Sequence, residues 1–81
     1  MRSALSIRYD TEGDSLYIDR CPPYASQESE DLGDEIIARF NPDTQEIENI
    51  EILFFSKRGG TDRAFDLPIV AELRRLNEAG A

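Results

Sequence analysis

Apolar and polar residues alternate in several short stretches of this sequence, and that period of two is the feature that most constrains the fold. It is clearest at residues 5–9 (LSIRY) and 15–19 (SLYID). Because successive side chains of a strand point to opposite faces, both stretches predict strands with one apolar face. They are close enough to pair as an antiparallel hairpin across residues 10–14. Pro22 and Pro23 end the second strand, since neither can donate a hydrogen bond to a ladder.

Three further stretches extend the predicted sheet. Residues 25–34 are polar and acidic, with Leu32 as their large apolar residue, and predict an exposed edge strand or a loop. Residues 35–40 (EIIARF) and 47–55 (IENIEILFF) are stronger strand patterns, joined by the turn sequence NPDT at 41–44. The expected sheet therefore has four or five antiparallel strands built from two hairpins.

The apolar period changes near the carboxyl end of the chain. Residues 56–63 (SKRGGTDR) predict a connecting loop, since two glycines lie among polar residues. From residues 66–68 (DLP) onward, apolar residues recur at spacings of three and four until Gly80. This pattern predicts an amphipathic C-terminal helix packed on one face of the sheet. The predicted fold class is therefore α+β, in a single domain covering residues 1–81.

The size of the chain and its cysteine content limit what it can build. With 81 residues the core is small, so a sheet face covered by a second copy would add stability, and a homodimer is expected. The chain has one cysteine, Cys21, and no histidine. It therefore cannot form an internal disulfide or a metal site built from cysteine and histidine. The interpretation is a cytoplasmic protein. No stretch approaches the roughly 18 apolar residues of a membrane span, and the first residues lack the apolar core of a signal peptide.

The negative charge is concentrated in one segment. The chain has 17 acids and nine bases, a net charge of −8. Residues 26–51 contain one base, Arg39, and nine acids: Glu28, Glu30, Asp31, Asp34, Glu35, Asp43, Glu46, Glu48 and Glu51. Such a field repels phosphate backbones and anionic membranes, so neither nucleic-acid nor membrane binding is expected. It would attract a basic protein or cations, although net charge mostly reports on solubility.

Two motifs resemble those of a known family. The first consists of Tyr9, Asp10, Asp14, Leu16, Tyr17 and Ile18, and is similar to the YDxEaDaLYI signature of the small bacterial domain-of-unknown-function 2283 family. The second consists of residues 33–37, Ile47, residues 50–53, Ser56 and Lys57, and resembles that family's GDGVIxDxDxxGxVxGIEILDASK. Together the two motifs span residues 7–58, about two thirds of the chain.

The resemblance implies a compact α+β domain and brings no established activity. Some members look like partners of small toxin-like proteins, which implies an antitoxin-like role. The sequence departs from the pattern at Glu35 and Asn49, where glycine is usual, and at Phe54 and Phe55, where Asp-Ala is usual. The more apolar end of the last strand predicts packing particular to this protein, against the helix or a second subunit.

The opening turn raises the question of a cation site, because three acids surround Gly13. These acids are Asp10, Glu12 and Asp14. A calcium loop counted from Asp10 fails at its sixth position, where Ser15 replaces glycine, and at its twelfth, where Cys21 replaces glutamate. The stronger interpretation is a hairpin turn in which Gly13 permits φ > 0 while Asp10 and Asp14 accept bonds from backbone amides. A looser cation site remains an alternative.

The sequence lacks the residues that other common catalytic and binding sites require. Cys21 has no histidine base and one cationic neighbour, Arg20, so a catalytic cysteine is not expected. Residues 57–61 (KRGGT) do not have the order of a phosphate-binding loop. The many carboxylates leave a carboxylate-dependent hydrolase open by residue type, but a thin sheet has little room for a pocket that excludes water.

The sequence therefore predicts a non-enzymatic protein-interaction module with an acidic surface that meets a basic protein partner. No catalytic, cofactor-binding or metal-binding residue is assigned, and no cofactor is expected. The alternative is a divalent-cation-binding protein or carboxylate-dependent hydrolase that uses Asp10, Glu12 and Asp14 with other carboxylates.

Overall fold

The computed structural model describes residues 4–58 and 64–76, and its main feature is a five-stranded antiparallel sheet. The strands are β1 (Ser6–Asp10), β2 (Ser15–Asp19), β3 (Glu28–Gly33), β4 (Ile36–Phe40) and β5 (Ile47–Leu53), and a short 3-10 helix (Phe55–Lys57) follows β5. Their order across the sheet is β1-β2-β5-β4-β3. Hairpins join β3, β4 and β5, and β2 lies beside β5 at the start of a long crossover to β3. This arrangement is a Greek key.

Local turn chemistry explains where the hairpins close. The β1–β2 hairpin predicted across residues 10–14 is confirmed, with Asp10 paired to Ser15. In the β4–β5 turn, the Asn41 side-chain oxygen accepts hydrogen bonds from the backbone N–H groups of Asp43 (2.8 Å) and Thr44 (3.0 Å). An asparagine that bonds to backbone ahead of it closes a tight turn. For residues 25–34 the structure has the edge strand, β3, rather than a loop.

The core lies on one face of the central strands, which we call the core face. Ile36 and Ala38 of β4 and Ile50 and Ile52 of β5 are buried there. The register places Ile52 between Ile36 and Leu16, so these side chains form a continuous row across three strands. Period-two alternation in the sequence therefore has its expected consequence, which is one apolar face on the sheet.

The predicted C-terminal helix is wrong, and with it the α+β fold class. The described part of that segment, residues 64–76, contains no helix. It packs on the core through Leu67 and Ile69, whereas Val70 is 102% exposed and Leu73 is also exposed. A short helix is marginal in water unless its apolar face is buried, and Pro68 disfavours helical backbone at the residue before it. The described fold is thus an antiparallel sheet with an irregular segment across its core face.

Some predictions concern parts of the chain that lie outside the described residues. These are the later part of the connecting loop at 59–63, the predicted end of the helix at 77–81 and the first three residues.

Candidate functional site

The hairpin turn between β1 and β2 contains the three acids that the sequence singled out. Asp10 Oδ1 accepts a hydrogen bond from the backbone N–H of Glu12 (3.1 Å). Gly13 does not have the positive φ expected for it; that conformation belongs to Asp14, with φ of 53°. A Cβ at position 13 would lie 3.0 Å from Asp10 Oδ2, a tight contact that a small movement of the Asp10 carboxylate would relieve. The turn is therefore closed by the bond to Asp10 and by a left-handed backbone at Asp14.

Asp14 joins this turn to the end of β5. Its Oδ1 accepts hydrogen bonds from the Tyr9 hydroxyl (2.5 Å) and the Ser56 backbone N–H (3.0 Å), and its Oδ2 accepts one from Ser56 Oγ (2.8 Å). Its backbone carbonyl accepts a bond from the N–H of Phe55 (2.9 Å). The bond from Tyr9, followed by those from Ser56, stabilises the carboxylate and lowers the pKa of Asp14. The same bond raises the pKa of Tyr9.

This geometry suits a structural tie better than a cation site. Both carboxylate oxygens of Asp14 already accept bonds from protein groups, and Asp10 Oδ1 is bonded to the Glu12 amide. Calcium takes about six to eight oxygen ligands. Within residues 4–58 and 64–76, no three acidic, cysteine or histidine side chains are grouped so that they could hold a metal ion.

A second polar cluster, which the sequence did not reveal, holds the crossover between β2 and β3. At its centre is Asn49, which is 1% exposed. Its Oδ1 accepts a hydrogen bond from Gln27 Nε2 (2.7 Å), and its Nδ2 donates to Asp19 Oδ1 (2.8 Å) and to the backbone carbonyl of Cys21 (2.7 Å). A buried amide with all these partners costs little, whereas an unpaired one costs a great deal. Asn49 therefore fixes both ends of the crossover on β5.

Glu48 extends this cluster. We call the bonded group around Asn49 and Glu48, which includes Gln27 and Tyr24 of the crossover, the crossover anchor. Its Oε1 accepts hydrogen bonds from the Tyr24 hydroxyl (2.6 Å) and Gln27 Nε2 (3.0 Å), and its Oε2 accepts one from Asn41 Nδ2 (3.2 Å). The bond with Tyr24 is the main cause that lowers the pKa of Glu48 and raises the pKa of Tyr24 to about 12. Register between β4 and β5 shifts here in a bulge, which lets Glu48 and Asn49 reach the same Gln27 amide.

Cys21 lies beside the crossover anchor in surroundings that disfavour a thiolate. The residue is half-buried. Burial raises the pKa of the thiol, and the negative Glu48 adds to the effect more than Arg20 opposes it. A reactive cysteine needs the opposite environment, one that is electropositive and accessible.

The sheet face opposite the core, which we call the open face, carries a polar ladder. The Arg8 guanidinium lies 4.2 Å from the ring centre of Tyr17. The Tyr17 hydroxyl donates to Glu51 Oε2 (3.2 Å), and Arg39 Nη2 lies 3.5 Å from Glu51 Oε1. Burial, followed by the charge of Glu51, raises the pKa of Tyr17. The ladder therefore crosses the sheet from β1 to β4 as mutually bonded groups.

A cleft of about 300 Å³ lies between the β3–β4 turn and the segment after β5. Two basic residues, Lys57 and Arg58, line it, and the Arg58 side chain is 10% exposed. The guanidinium bonds to Asp34 Oδ2 (3.2 Å) and to the backbone carbonyls of Leu53 (3.2 Å), Asp34 and Glu35. It also lies 5.2 Å from the ring centre of Phe65. Arg58 therefore connects the β3–β4 turn to the end of β5, and the carboxylate of Asp34 is bonded to it.

The remaining acids of the negative segment gather along one side of the sheet. Five of them are exposed and form no ion pair within the described part of the chain: Glu28, Glu30, Asp31, Glu35 and Asp43. We call these five the acidic rim. It follows the edge strand β3 and the turns at its two ends, where Gln45 Nε2 bonds to Glu28 Oε1 (3.2 Å). The one base of the segment, Arg39, is on the open face with Glu51 and does not offset the rim.

Comparison with known proteins gives one match. The family described as protein of unknown function (DUF2283) matches residues 6–56, which include all five strands. No curated protein and no solved structure matches the chain. Among the described residues there is no helix of the length and apolar character that crossing a membrane would require.

Proposed function

The chain belongs to the DUF2283 family of proteins of unknown function, and we propose that this member is a non-enzymatic interaction module whose acidic rim binds a basic segment of another protein. The observation that carries the proposal is the placement of the rim. Its five acids are exposed on one side of the sheet and are left without ion-pair partners among the residues the structure describes. Unpaired charge of one sign steers a partner of the opposite sign and adds specificity.

The backbone of β3 suggests how such a partner would bind. As an edge strand, β3 has N–H and C=O groups on its outer side with no strand partner in the described structure. A segment of a partner can add to such an edge as a further strand. Glu30 lies opposite Ala38 on the core face, and Asp31 lies opposite Ile37 on the open face. Basic side chains on both sides of an added strand would therefore each meet an acid.

The polar sites described above do not compete with this function. Asp14, Glu48 and Glu51 are each bonded within the fold, so they act as structural ties and not as free carboxylates. Glu12 and Asp66 are also exposed acids without an ion pair in the described structure, but they lie singly, whereas the rim places five such acids along β3 and its adjoining turns. A basic toxin-like protein is one class of partner that would fit, in line with an antitoxin-like role.

The test compares two charge-reversed variants in a pull-down from the organism's own lysate. One variant carries Glu28→Lys, Glu30→Lys and Asp31→Lys, all on β3. The matched control carries Glu12→Lys, Asp66→Lys and Glu72→Lys, which are exposed acids away from the rim and give the same change in net charge. The control also breaks the ion pair of Glu72 with Arg74 (3.0 Å), but an exposed pair of this kind contributes little to stability. We expect a basic protein that binds the wild type and the control, is eluted by salt, and binds the rim variant at least tenfold more weakly, or about 1.4 kcal/mol.

Equal losses in the two variants would mean that net charge alone attracts the partner and would contradict a specific rim. Binding that neither salt nor the rim variant weakens would also contradict the proposal. Both variants should keep the wild-type circular dichroism spectrum, since all six positions are exposed.

A further inference from the structure

The two edges of the sheet are protected very differently. The β3 edge carries acids on both faces and a register shift between Asp31 and Gly33. Charges and bulges of this kind keep an edge strand from pairing with strands that do not carry the opposite charge, such as the acidic β3 of a second copy. The β1 edge has one charged residue in its middle, Arg8, and no register shift against β2. The β1 edge is therefore less protected than the β3 edge against pairing with another strand.

The β1 edge also exposes apolar side chains on a single face. Ile7 is 66% exposed, and Leu5 and Tyr9 are exposed as well. Ile7 and Tyr9 lie opposite Ile18 and Leu16, which places both on the core face. Leu5 is two residues before Ile7 and falls on the same face by alternation. An added strand on this edge would extend the apolar face of the sheet beyond β1.

We propose that the β1 edge pairs with the β1 edge of a second copy, antiparallel about a two-fold axis at Ile7, to give a continuous ten-stranded sheet. The reason for proposing a second copy as the partner is the pairing of residues between the two β1 strands. With Ile7 opposite its own copy, Leu5 lies opposite Tyr9 of the other chain, so every apolar side chain meets an apolar one. Arg8 then lies opposite Ser6. Cross-strand apolar pairs stabilise a sheet, whereas like charges placed directly opposite destabilise it.

The neighbouring registers are less favourable. Moving the axis to Arg8 would place two arginines directly opposite each other, and moving it to Tyr9 would bring turn residue Thr11 into the pairing. In the proposed register the two Arg8 side chains are diagonal neighbours. Each guanidinium is held over the Tyr17 ring of its own chain at 4.2 Å, toward β2 and away from the edge. An axis at Ser6 would keep Ile7 opposite Leu5 but would place Tyr9 opposite a serine, residue 3. Of these registers, the one centred on Ile7 is therefore the one that gives Leu5, Ile7 and Tyr9 each an apolar partner.

Pairing through the edge also fits the open face better than stacking two sheets. A second copy laid on that face would have to cover Arg8, Arg39 and Glu51, which are bonded in the polar ladder. Burying charged groups is costly even when they are paired. Edge pairing leaves the ladder in water and uses the apolar side chains that are already exposed. It uses the opposite edge from the acidic rim, so the two proposals stand independently.

The test is the oligomeric state of the wild type and two variants by sedimentation velocity over a wide range of concentration. We expect a monomer and dimer equilibrium for the wild type. Ile7→Lys would place two ammonium groups on the axis and should raise the dimer dissociation constant at least tenfold. Leu73→Lys introduces the same charge at an exposed apolar residue of the C-terminal segment and should leave the equilibrium unchanged. A wild type that stays monomeric at every concentration, or a dimer that Ile7→Lys does not weaken, would overturn the proposal.

A cross-linking experiment fixes the register. In a Cys21→Ser background, Ile7→Cys should form an intermolecular disulfide rapidly, because the two copies of residue 7 face each other. Arg8→Cys and Tyr9→Cys should cross-link more slowly, and faster cross-linking of either would contradict an axis at Ile7. Urea unfolding of each variant verifies that the monomer is folded. This is expected because Ile7, Arg8 and Tyr9 are all exposed, although Tyr9→Cys should lose some stability with its bond to Asp14.

Discussion

Glu35 has a backbone conformation that is unfavourable for its residue type. It follows Asp34 in the β3–β4 turn, and both residues have positive φ, 62° for Glu35 and 52° for Asp34. This hairpin geometry favours Asn-Gly or Asp-Gly, because a Cβ is strained in the left-handed region. Position 35 is also where the motif that the sequence resembles predicts glycine. The hydrogen bonds from Arg58 to the Asp34 and Glu35 carbonyls hold the turn in spite of the strain.

Glu35→Gly should therefore stabilise the protein. The left-handed conformation costs a residue with a Cβ roughly 1–2 kcal/mol of folding free energy, and glycine removes this strain. The greater conformational freedom of glycine in the unfolded chain offsets roughly 0.4–1 kcal/mol of that gain. We expect the free energy of unfolding, measured by urea titration, to rise by about 0.5–1 kcal/mol. Glu12→Gly, in a turn position without positive φ, should instead lower it. A decrease for both variants would show that the β3–β4 turn is not strained.

Asp14 makes stability depend on pH. Its pKa is lower in the folded protein than the ordinary value of 3.8, because Tyr9 and Ser56 donate hydrogen bonds to the carboxylate. A lowered folded pKa means that the stabilisation is present above the unfolded pKa and is lost as the pH falls through the folded one. The urea midpoint should therefore fall on acidification below about pH 3.8. Glu48, whose pKa is also lowered, acts in the same direction.

Asp14→Asn should lower the midpoint at neutral pH and make the loss on acidification smaller. Glu12→Gln is the matched control, since it removes one carboxylate from the same turn and that carboxylate accepts no hydrogen bond within the described structure. Its pH profile should follow that of the wild type. Identical profiles for the two variants would show that the bonds from Tyr9 and Ser56 do not stabilise the folded state.

Among the elements, the C-terminal segment differs most from what its sequence pattern suggests. The spacing of its apolar residues is helical, yet the described part is irregular, and of its side chains Leu67 and Ile69 pack against the core. An amphipathic pattern stabilises a helix only when a surface is available for the apolar face. Here the two side chains that meet the sheet flank Pro68 in a tight turn, where the Ile69 N–H bonds to the Leu67 carbonyl (2.8 Å), and residues two apart do not share a helix face.

Ile69 and Val70 are adjacent and allow this difference to be measured. Ile69→Ala should cost about 1–2 kcal/mol of the free energy of unfolding, because a half-buried side chain loses part of its contact with the core. Val70→Ala should change it by less than about 0.5 kcal/mol, since Val70 is 102% exposed. Urea unfolding of both variants checks this. Comparable losses at the two positions would indicate that the segment packs as a helix.

For the whole molecule, the asymmetry between the two sheet edges is the dominant feature. One edge is bordered by the acidic rim and the other by exposed apolar side chains. A small sheet with one covered face has little buried surface of its own, so association at an edge is a natural way to increase it. The two edges lie on opposite sides of the five strands, which allows one to meet a second copy while the other meets a basic partner.

The sequence by itself predicted four of the five strands, β1, β2, β4 and β5, and the turns that join them in pairs, and it left residues 25–34 open between an edge strand and a loop. Alternation at residues 5–9, 15–19 and 35–40 places one side chain in two on the core face, and that depends only on local geometry. The same holds for the Asn41 turn, whose bonds reach two or three residues. Family membership also followed from two local motifs, which the match over residues 6–56 confirms.

The tertiary structure alone decided which surfaces the distant parts of the chain would meet. The crossover anchor joins Gln27 to Glu48 and Asn49, more than twenty residues away, and its one sequence signal was Asn49 at a position where the motif that the chain resembles predicts glycine. The opening acids were predicted to lie in a hairpin turn, but the bonds from Ser56 to Asp14 span 42 residues. The C-terminal segment had a helical pattern and is irregular in its described part, because the sheet offers contacts to Leu67 and Ile69 and not to the whole apolar stripe. Local periodicity fixes which side chains share a face, whereas packing between distant segments decides whether that face is buried.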